Sequence, residues 1–289
     1  MTFQFDAQFL ETFKAIDPQR GEVLNLVSLL DLTTLSGTDT EEVVDALYDR
    51  ASEPFSSELR AKLSKFLQEN QVNLPKCASV CVYPIFVSHL AQRAASERRT
   101  IPICTVAGAF PSGMFPIETR QFECETADAH GANEIDIVIN RGAAINQDFK
   151  LVFDEVSAMR KSCAVRKMKT ILAVGELKTH QNIYKASMAA MMAGSDFIKT
   201  STGKEVVNAT LESAYVMCLA IKKYFEKTGR KVGFKAAGGI KTTADALAYK
   251  ALIEATLGAD WSTPELLRIG ASSLLDHIEG TLMQLVTEK

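Results

Sequence analysis

Short β-rich runs alternate with longer amphipathic stretches along most of this 289-residue chain, and this alternation is the strongest constraint on its fold. In the stretch 210–227, for example, apolar residues recur at helical spacing with polar residues on the opposite face. Strands that alternate with helices build a parallel sheet covered by helices. We count eight β-rich runs, which predict strands at Leu26–Asp31, Ser79–Tyr83, Ile103–Ala107, Glu134–Ile139, Lys169–Val174, Phe197–Thr200, Val232–Lys235 and Leu267–Gly270.

Eight such units place the chain in the α/β class and predict a (β/α)8 TIM barrel. These barrels take roughly 250 residues, so the length suits one barrel, and we expect a single domain over residues 1–289. Thr40, Thr210 and Thr242 stand at the expected starts of helices, where a threonine side chain can cap the first turn.

Two regions of the chain are additional to the strands and helices that a minimal barrel needs. Residues 1–25 predict an N-terminal helical extension that could cover the bottom of the barrel. Residues 48–76 predict an extra helical insertion after the first strand, with a surface helix at Glu58–Glu69. The apolar residues expected on the inner faces of these helices are Phe3, Phe9, Leu10, Phe13 and Ile16 in the extension, and Leu59, Leu63, Phe66 and Leu67 in the insertion.

The composition argues against several classes of function. A net charge of −3 and a pI of about 5.9 leave no basic stripe, so we expect no nucleic-acid partner. No segment approaches about 20 uninterrupted apolar residues, and the first residues lack a secretory signal pattern, so we expect no membrane association and a cytoplasmic location. The six cysteines lack C-x-x-C spacing and are interpreted as reduced. Small polar substrates are the more natural partners.

Five charged residues in five of the predicted strands are candidates for the site. Catalytic residues of such barrels lie at the carboxyl ends of the strands, because those ends form one concave face. Three of the five are lysines, whose burial costs several kcal/mol unless the charge is paired or lost. Any one lysine alone could equally extend to the surface, but here there are three. The five residues are Asp31, Asp136, Lys169, Lys199 and Lys235.

Lys199 and Lys235 stand on consecutive strands, which lie about 4.8 Å apart in a sheet, so their ammonium groups could approach closely. Repulsion between like charges at that distance would lower a lysine pKa towards neutrality and leave a nucleophilic amine. A neutral amine adds to an aldehyde and loses water to give an iminium ion, an electron sink for carbon–carbon cleavage. The pair therefore predicts Schiff-base chemistry, with either lysine as the nucleophile at this point.

Schiff-base chemistry also needs a group that carries protons, and Asp136 is the candidate. It interrupts the otherwise apolar run 135–139, where an unpaired carboxylate would be costly but a lysine pair would compensate it. We expect neither a metal nor a cofactor, because the histidines are scattered over predicted helices and give no zinc site. These histidines are His89, His130, His180 and His277.

Asp31 and two cysteines have alternative interpretations. Asp31 could bind a substrate hydroxyl or could orient the loop that follows its strand. Cys77 and Cys81 share one face of a strand, and core packing is favoured for both, although Cys81 lies near a strand end and could line the pocket.

Two glycine turns predict an anion site. Gly238–Lys241 and Gly270–Ser273 follow the seventh and eighth strands and lead into helices, where these barrels commonly hold phosphate with backbone N–H groups. Gly203–Lys204, after the sixth strand, could add a cation. The alternative is that the glycines merely close tight turns.

Several motifs in this chain resemble those of the deoxyribose-phosphate aldolase family, in the family's order. The most specific is F-I-K-T-S-T-G-K at 197–204, and the others are L-D-L-T-T-L at 30–35, E-I-D-I-V at 134–138, G-E-L at 175–177, G-F-K-A-A-G-G at 233–239 and G-A-S-S at 270–273. The resemblance implies a metal-independent Schiff-base aldolase that reversibly cleaves 2-deoxy-D-ribose 5-phosphate into acetaldehyde and D-glyceraldehyde 3-phosphate. A homo-oligomer is also expected, with a dimer favoured.

The resemblance assigns roles by motif position. Lys199 would be the Schiff-base lysine, Lys235 the partner that lowers its pKa, and Asp136 the proton relay. Lys169 would lie near that network. Substrate contacts are expected from Asp31, Cys81, Lys169, Thr200, Gly203, Lys204, Gly238, Gly239, Ser272 and Ser273.

The sequence departs from the commonest family pattern in places. Ala236 replaces a frequent proline, Ala173 and Val174 replace a frequent Glu-Thr pair, and residues 285–289 lack the tyrosine tail of some members, so proton transfer would rest on Asp136. Two rival functions are another Schiff-base aldolase or transaldolase for a larger sugar phosphate, and a sugar-phosphate-binding barrel without catalysis.

Overall fold

Eight parallel strands close into one barrel in chain order, so the predicted fold class is confirmed. The structure is a computed structural model that describes residues 7–14, 16–71, 73–98 and 101–287. The strands are β1 Leu30–Thr33, β2 Ser79–Val82, β3 Ile103–Val106, β4 Glu134–Val138, β5 Lys167–Ile171, β6 Phe197–Lys199, β7 Gly233–Ala237 and β8 Leu267–Ala271.

Helices connect the strands and surround the barrel. They are α1 Ala7–Glu11, α2 Arg20–Ser28, α3 Glu41–Ser52, α4 Ser57–Asn70, α5 Val87–Glu97, α6 Ile117–Ala129, α7 Arg141–Ile145, α8 Phe149–Ser162, α9 His180–Met192, α10 Leu211–Thr228, α11 Thr243–Leu257 and α12 Leu274–Thr287, with 3-10 turns at Pro84–Phe86, Val174–Glu176 and Ala259–Trp261. In the described part of the chain, no helix has both the length and the apolar character needed to span a membrane.

The first predicted strand was wrong at its start. Leu26 lies in helix α2, which packs against α11 and α12, and β1 begins only at Leu30. The apolar run 26–30 predicted a strand, because periodicity does not distinguish a short buried strand from the end of a buried helix.

The N-terminal extension forms two short helices within the described residues, α1 and α2, rather than one. In α1, the ring of Phe9 lies 5.4 Å from Tyr215 on α10 and 5.0 Å from Phe13. The extension therefore packs on the outer helix layer through these rings, whereas Phe3 falls outside the described residues.

The predicted insertion is helical. Its first residues complete α3, and the expected surface helix is α4, where Leu59 and Leu63 are fully buried and the Ser56 side chain caps the first turn. Helix α4 packs against α12, so the insertion covers one side of the barrel.

Alternation along the strands gives the barrel a charged interior. In β4, Ile135 and Ile137 belong to the apolar core between sheet and helices, while Glu134 and Asp136 contact lysines of other strands inside the barrel. An apolar layer inside the barrel contains Leu35, Cys81, Cys104 and Val106. The strand pattern therefore places charge where many barrels have aliphatic side chains.

Two of the three predicted threonine caps form. Thr210 and Thr242 each take part in a reciprocal capping box, whereas Thr40 occupies the position before α3 without a capping hydrogen bond from its side chain. For Thr210, the hydroxyl accepts from the backbone N–H of Ser213 at 3.1 Å.

Thr210→Ala should therefore lower the free energy of unfolding by about 1 kcal/mol, because the N–H of Ser213 loses its acceptor. Urea denaturation followed by circular dichroism measures the change. Thr40→Ala is the matched control and should cost clearly less; equal losses in both variants would contradict a capping contribution from Thr210.

Candidate active site

A pocket of about 430 Å³ opens at the carboxyl ends of the strands. Lys199, at the end of β6, is the strand lysine that lines it. The remaining wall comes from the ends of β1, β7 and β8 and from the segments that follow β1, β6, β7 and β8. The strand residues are Thr33, Ala237, Gly270 and Ala271, and the residues of the segments are Thr34, Leu35, Ser36, Gly37, Thr202, Gly203, Lys204, Gly238, Gly239, Ile240, Lys241, Ser272 and Ser273.

The two lysines expected to form a pair meet at one carboxylate. Lys199 and Lys235 are register partners on β6 and β7, and their Nζ atoms lie 2.7 and 2.8 Å from the same oxygen, Oδ2 of Asp136. Asp136 is fully buried, and Lys199 is 3% exposed. The structure thus brings together the three residues to which the sequence assigned catalysis.

Carboxylates, and not only the second ammonium group, set the electrostatics of this cluster. Burial alone lowers the pKa of Lys235, but Asp136 and Asp31 outweigh burial and raise that pKa above its usual value. Burial conversely raises the pKa of Asp136, yet Lys169, Lys199 and Lys235 hold it well below its usual value. Asp136 is therefore ionised at neutral pH, and Lys235 is a fixed positive charge.

Lys169 supports the other oxygen of Asp136. Its buried Nζ lies 2.9 Å from Oδ1 of Asp136, 2.6 Å from Glu134 and 3.1 Å from the sulfur of Cys104. The expected position of Lys169 near the network agrees with the structure. Lys169 does not line the pocket, so its placement does not support the expected substrate contact. Cys104, which sequence reasoning missed, donates its thiol to the same oxygen at 3.1 Å.

The structure places Asp31 behind the pocket wall, where its carboxylate contacts side chains of other strands. Its carboxylate is fully buried and accepts from Ser79 at 2.7 Å and from Arg268 at 2.6 Å, and it lies 2.5 Å from Lys235. Arg268 also pairs with Glu134 at 2.9 and 3.0 Å. Asp31 therefore neutralises positive charge inside the barrel, below the pocket. No sequence signal indicated this role, because the partner Arg268 lies more than two hundred residues away in the chain.

Thr200 and Cys81 also lie behind the pocket wall. The hydroxyl of Thr200 accepts from the N–H of Ala237 at 3.0 Å and donates to its carbonyl at 3.1 Å, which joins β6 to the end of β7. Cys81 is fully buried in the inner apolar layer. A hydrogen bond with Cys104 lowers the pKa of Cys81 to about 7, although burial opposes the change. Direct substrate contact, expected for both residues, requires them to reach a pocket that they do not line.

The glycine turns lie where the anion site was expected. Gly203, Gly238 and Gly239 have φ angles of +86°, +83° and +84°, a region that favours glycine. At Gly238 a Cβ atom would also meet the side chain of Asn208 at 2.6 Å. Every residue of the predicted phosphate set lines the pocket, namely Gly203, Lys204, Gly238, Gly239, Ser272 and Ser273.

Four polar residues of this wall were not among the substrate contacts expected from the sequence. Lys241 adds a cation, Thr33 adds a hydroxyl at the end of β1, and Thr34 and Ser36 add hydroxyls after β1. The signal for Lys241 was present, since it belongs to the predicted turn 238–241.

One group of three side chains has metal-ligand atoms close together within the described ranges. Atoms of Cys81, Cys104 and Asp136 lie within 4.8 Å of one another. Both oxygens of Asp136 already accept lysine ammonium groups, whose charge opposes a divalent cation at the same place. These residues do not favour a metal, and metal-independent chemistry stays a prediction.

A buried lysine in the carboxyl-end pocket of a (β/α)8 barrel, beside turns suited to phosphate, is the arrangement of a sugar-phosphate aldolase. A family model described as DeoC/LacD family aldolase matches residues 28–279, and the chain belongs to this family.

Several proteins similar to this chain carry the name deoxyribose-phosphate aldolase. Proteins of Mus musculus and Homo sapiens named deoxyribose-phosphate aldolase are 47% and 46% identical to this chain over 269 residues, which cover 93% of the chain and 83% of each relative. The solved structure of a deoxyribose phosphate aldolase from Aeropyrum pernix, described as a unique tetramer, superposes with a TM-score of 0.70 at 23% identity and covers 97% of this chain and 99% of its own.

The buried charges predict a marked acid sensitivity. Burial raises the carboxyl pKa values, but cations outweigh it, so the pKa values of Asp31, Glu134 and Asp136 all lie below their usual range. Carboxyls with a lowered folded-state pKa add stability that is present above the unfolded pKa of about 4 and is lost as the pH falls further. The free energy of unfolding should therefore fall steeply from about pH 5 to pH 3.

Asp31→Asn tests this origin directly. The change should destabilise the protein by about 3–5 kcal/mol at pH 7, because Arg268 and Lys235 lose a buried counter-charge, and should flatten the acid decline. The exposed ion pair of Asp260 with Lys231, at 3.1 Å, provides the control, since Asp260→Asn should cost below about 1 kcal/mol. An unchanged acid slope in Asp31→Asn would refute this account.

Proposed function

We propose that this protein is a metal-independent Schiff-base lyase, a deoxyribose-phosphate aldolase that reversibly cleaves 2-deoxy-D-ribose 5-phosphate into acetaldehyde and D-glyceraldehyde 3-phosphate. One observation carries the proposal: Lys199 lines the pocket while its Nζ shares a single buried carboxylate oxygen with Lys235. The family and the names of its mammalian relatives support the substrate.

In the proposed reaction, the ammonium group of Lys199 gives up a proton, and the resulting amine attacks C1 of the open-chain sugar and forms a carbinolamine, which loses water to become an iminium ion. Lys235 supplies the positive charge beside this amine, and Asp136 accepts the proton that the amine releases. The acceptor is in place because Asp136 is ionised and within hydrogen-bond distance of Lys199.

Cleavage then follows from the iminium as an electron sink. A base removes the proton of the C3 hydroxyl, the C2–C3 bond breaks, and its electron pair moves into an enamine while glyceraldehyde 3-phosphate leaves. Protonation of the enamine at C2 and hydrolysis of the resulting iminium release acetaldehyde and regenerate Lys199. Asp136 is the proton carrier that we propose for these steps, acting with Lys235 and water.

The phosphate end of the sugar would lie against the turns after β6, β7 and β8. The backbone at Gly238 and Gly239 and the hydroxyls of Ser272 and Ser273 present polar groups to the pocket, and Lys204 and Lys241 supply positive charge. One pocket extends from these turns to Lys199, so it can hold both ends of one small substrate.

Three expectations from the sequence accompany this proposal. A single barrel domain is supported by the closure of β1 through β8. A cytoplasmic enzyme is supported by six cysteines that are all buried and free. A homodimer is the expected assembly, and light scattering checks it.

Borohydride trapping tests the chemistry. Incubation with acetaldehyde and borohydride should modify Lys199 irreversibly, and Lys199→Ala should show neither the adduct nor cleavage, because no iminium forms. Intact mass and peptide mapping identify the modified lysine. Lys235→Leu should retain the site but react roughly 100-fold more slowly.

Lys167→Met is the matched control for trapping. Lys167 also lies on β5 but pairs with Glu134 at 3.5 Å near the opposite end of the barrel, so this variant should be trapped like the parent. An adduct at another lysine, or none in a folded protein, would refute the proposed mechanism.

Lys241→Met tests the phosphate end. The KM for deoxyribose 5-phosphate should rise about tenfold, because the pocket loses a charge-assisted contact to phosphate, while trapping with acetaldehyde stays unchanged. Lys231→Met, which removes an exposed lysine elsewhere, should leave the KM at the parent value. If Lys241→Met also keeps the parent KM, the phosphate does not lie against this turn.

A further inference from the structure

The turn after β6 contains a buried carboxylate that the proposed mechanism does not use. Only 1% of the Glu205 side chain is exposed, and Glu205 does not line the pocket, although Thr202, Gly203 and Lys204 do. A carboxylate is rarely buried unless its charge and lone pairs are satisfied, so its partners indicate what it holds in place.

Its partners are the residues of the pocket wall itself. The carboxylate of Glu205 accepts from the N–H of Thr202 at 3.0 Å, from the hydroxyl of Thr202 at 2.7 Å and from the N–H of Gly203 at 3.2 Å. The hydroxyl of Thr202 in turn accepts from the N–H of Lys204 at 3.0 Å. One side chain therefore determines the backbone course of residues 202–204.

Arg141 holds Glu205 from another unit of the barrel. Its Nη2 atom lies 3.6 Å from the carboxylate of Glu205, its Nη1 atom donates to Glu176 at 2.6 Å, and the guanidinium also donates to the carbonyl of Pro111. These partners follow β3, β5 and β6, and Arg141 itself follows β4. The guanidinium thus joins four successive connections at the carboxyl face.

A second contact fixes the far side of the same turn. The side-chain amide of Asn208 donates to the carbonyl of Glu205 at 2.9 Å, and its other atoms lie against Gly238, where no Cβ would fit. Lys204 also reaches across the pocket and donates to the carbonyl of Leu35 at 2.7 Å. Glu205 therefore holds residues 202–204 through its carboxylate and is itself held through its carbonyl by Asn208.

We propose that Glu205, held by Arg141, is a positioning residue that shapes the turn 202–204 for the phosphate end of the substrate. This inference rests on the proposed function for the identity of the ligand. Glu205 acts through the turn and not by contact, since its oxygens face N–H groups, a hydroxyl and a guanidinium rather than the pocket. A negative charge beside an anion site is tolerated because these donors neutralise it.

The direction of the change in phosphate affinity on removal of Glu205 distinguishes a positioning role from competition with phosphate. The N–H groups of Thr202 and Gly203 are occupied by Glu205, so a carboxylate that merely competed with phosphate would weaken binding, and its removal would strengthen binding. A positioning role requires the reverse, namely weaker phosphate binding when the carboxylate or the guanidinium is removed.

The experiment compares the parent with Glu205→Gln, Glu205→Ala and Arg141→Met. We expect the KM for deoxyribose 5-phosphate to rise about fivefold to tenfold in Glu205→Gln and Arg141→Met and further in Glu205→Ala, with kcat within about twofold of the parent. The kcat/KM for unphosphorylated 2-deoxyribose and the rate of borohydride trapping with acetaldehyde should change less than about twofold, because neither molecule carries a phosphate. Glu212→Gln, an exposed carboxylate near the start of α10, is the matched control and should behave like the parent.

Binding of inorganic phosphate, measured by calorimetry, separates this inference from the proposed function. A parent that binds phosphate but neither traps acetaldehyde nor cleaves substrate would remove the proposed function, and the variants' phosphate affinity would still decide the role of Glu205. An unchanged or tighter phosphate affinity in all three variants, or no phosphate binding by the parent, would overturn the inference. Equal losses with phosphorylated and unphosphorylated sugars would also overturn it, because they indicate general disruption of the site.

Discussion

A buried network of opposite charges inside the barrel is the interaction on which the site depends. Taking seven charges out of water costs several kcal/mol for each unless they pair closely. Three carboxylates meet four cations here, so at least one carboxylate must serve two, and Lys199 and Lys235 share Asp136. The members of the network are Asp31, Glu134, Asp136, Lys169, Lys199, Lys235 and Arg268.

Strand geometry explains why these charges meet. Side chains alternate between the two faces of a strand, so residues 134 and 136 of β4 enter the barrel while residues 135 and 137 pack against helices. Register then aligns Asp136 with Lys169 and Lys199 with Lys235 across adjacent strands. The same periodicity that buries the apolar core therefore also assembles the acid and the amines, and folding and chemistry depend on one pattern.

The fold and the three central residues could be predicted because their signals are local. Alternating runs define strands, a lysine in an apolar run is conspicuous, and glycine pairs mark βα turns. The start of β1 was wrong because an apolar run does not distinguish a helix end from a strand. The role of Asp31 could not be predicted, because its partner Arg268 lies on the opposite end of the chain and meets it only through barrel closure. Glu205 gave no signal because an acidic residue in a polar loop is ordinarily exposed.

The substrate-facing wall and the reactive network occupy different levels of the molecule. The turns that would hold phosphate lie above the strand ends, whereas most of the charged network lies fully buried beneath them, and Lys199 belongs to both. Loops can accept replacement without altering the strands beneath them. Substitutions in these turns can therefore change which acceptor aldehyde the enzyme prefers, while Lys199, Lys235 and Asp136 keep the same amine chemistry. The barrel can thus catalyse the same type of carbon–carbon bond formation with different acceptors.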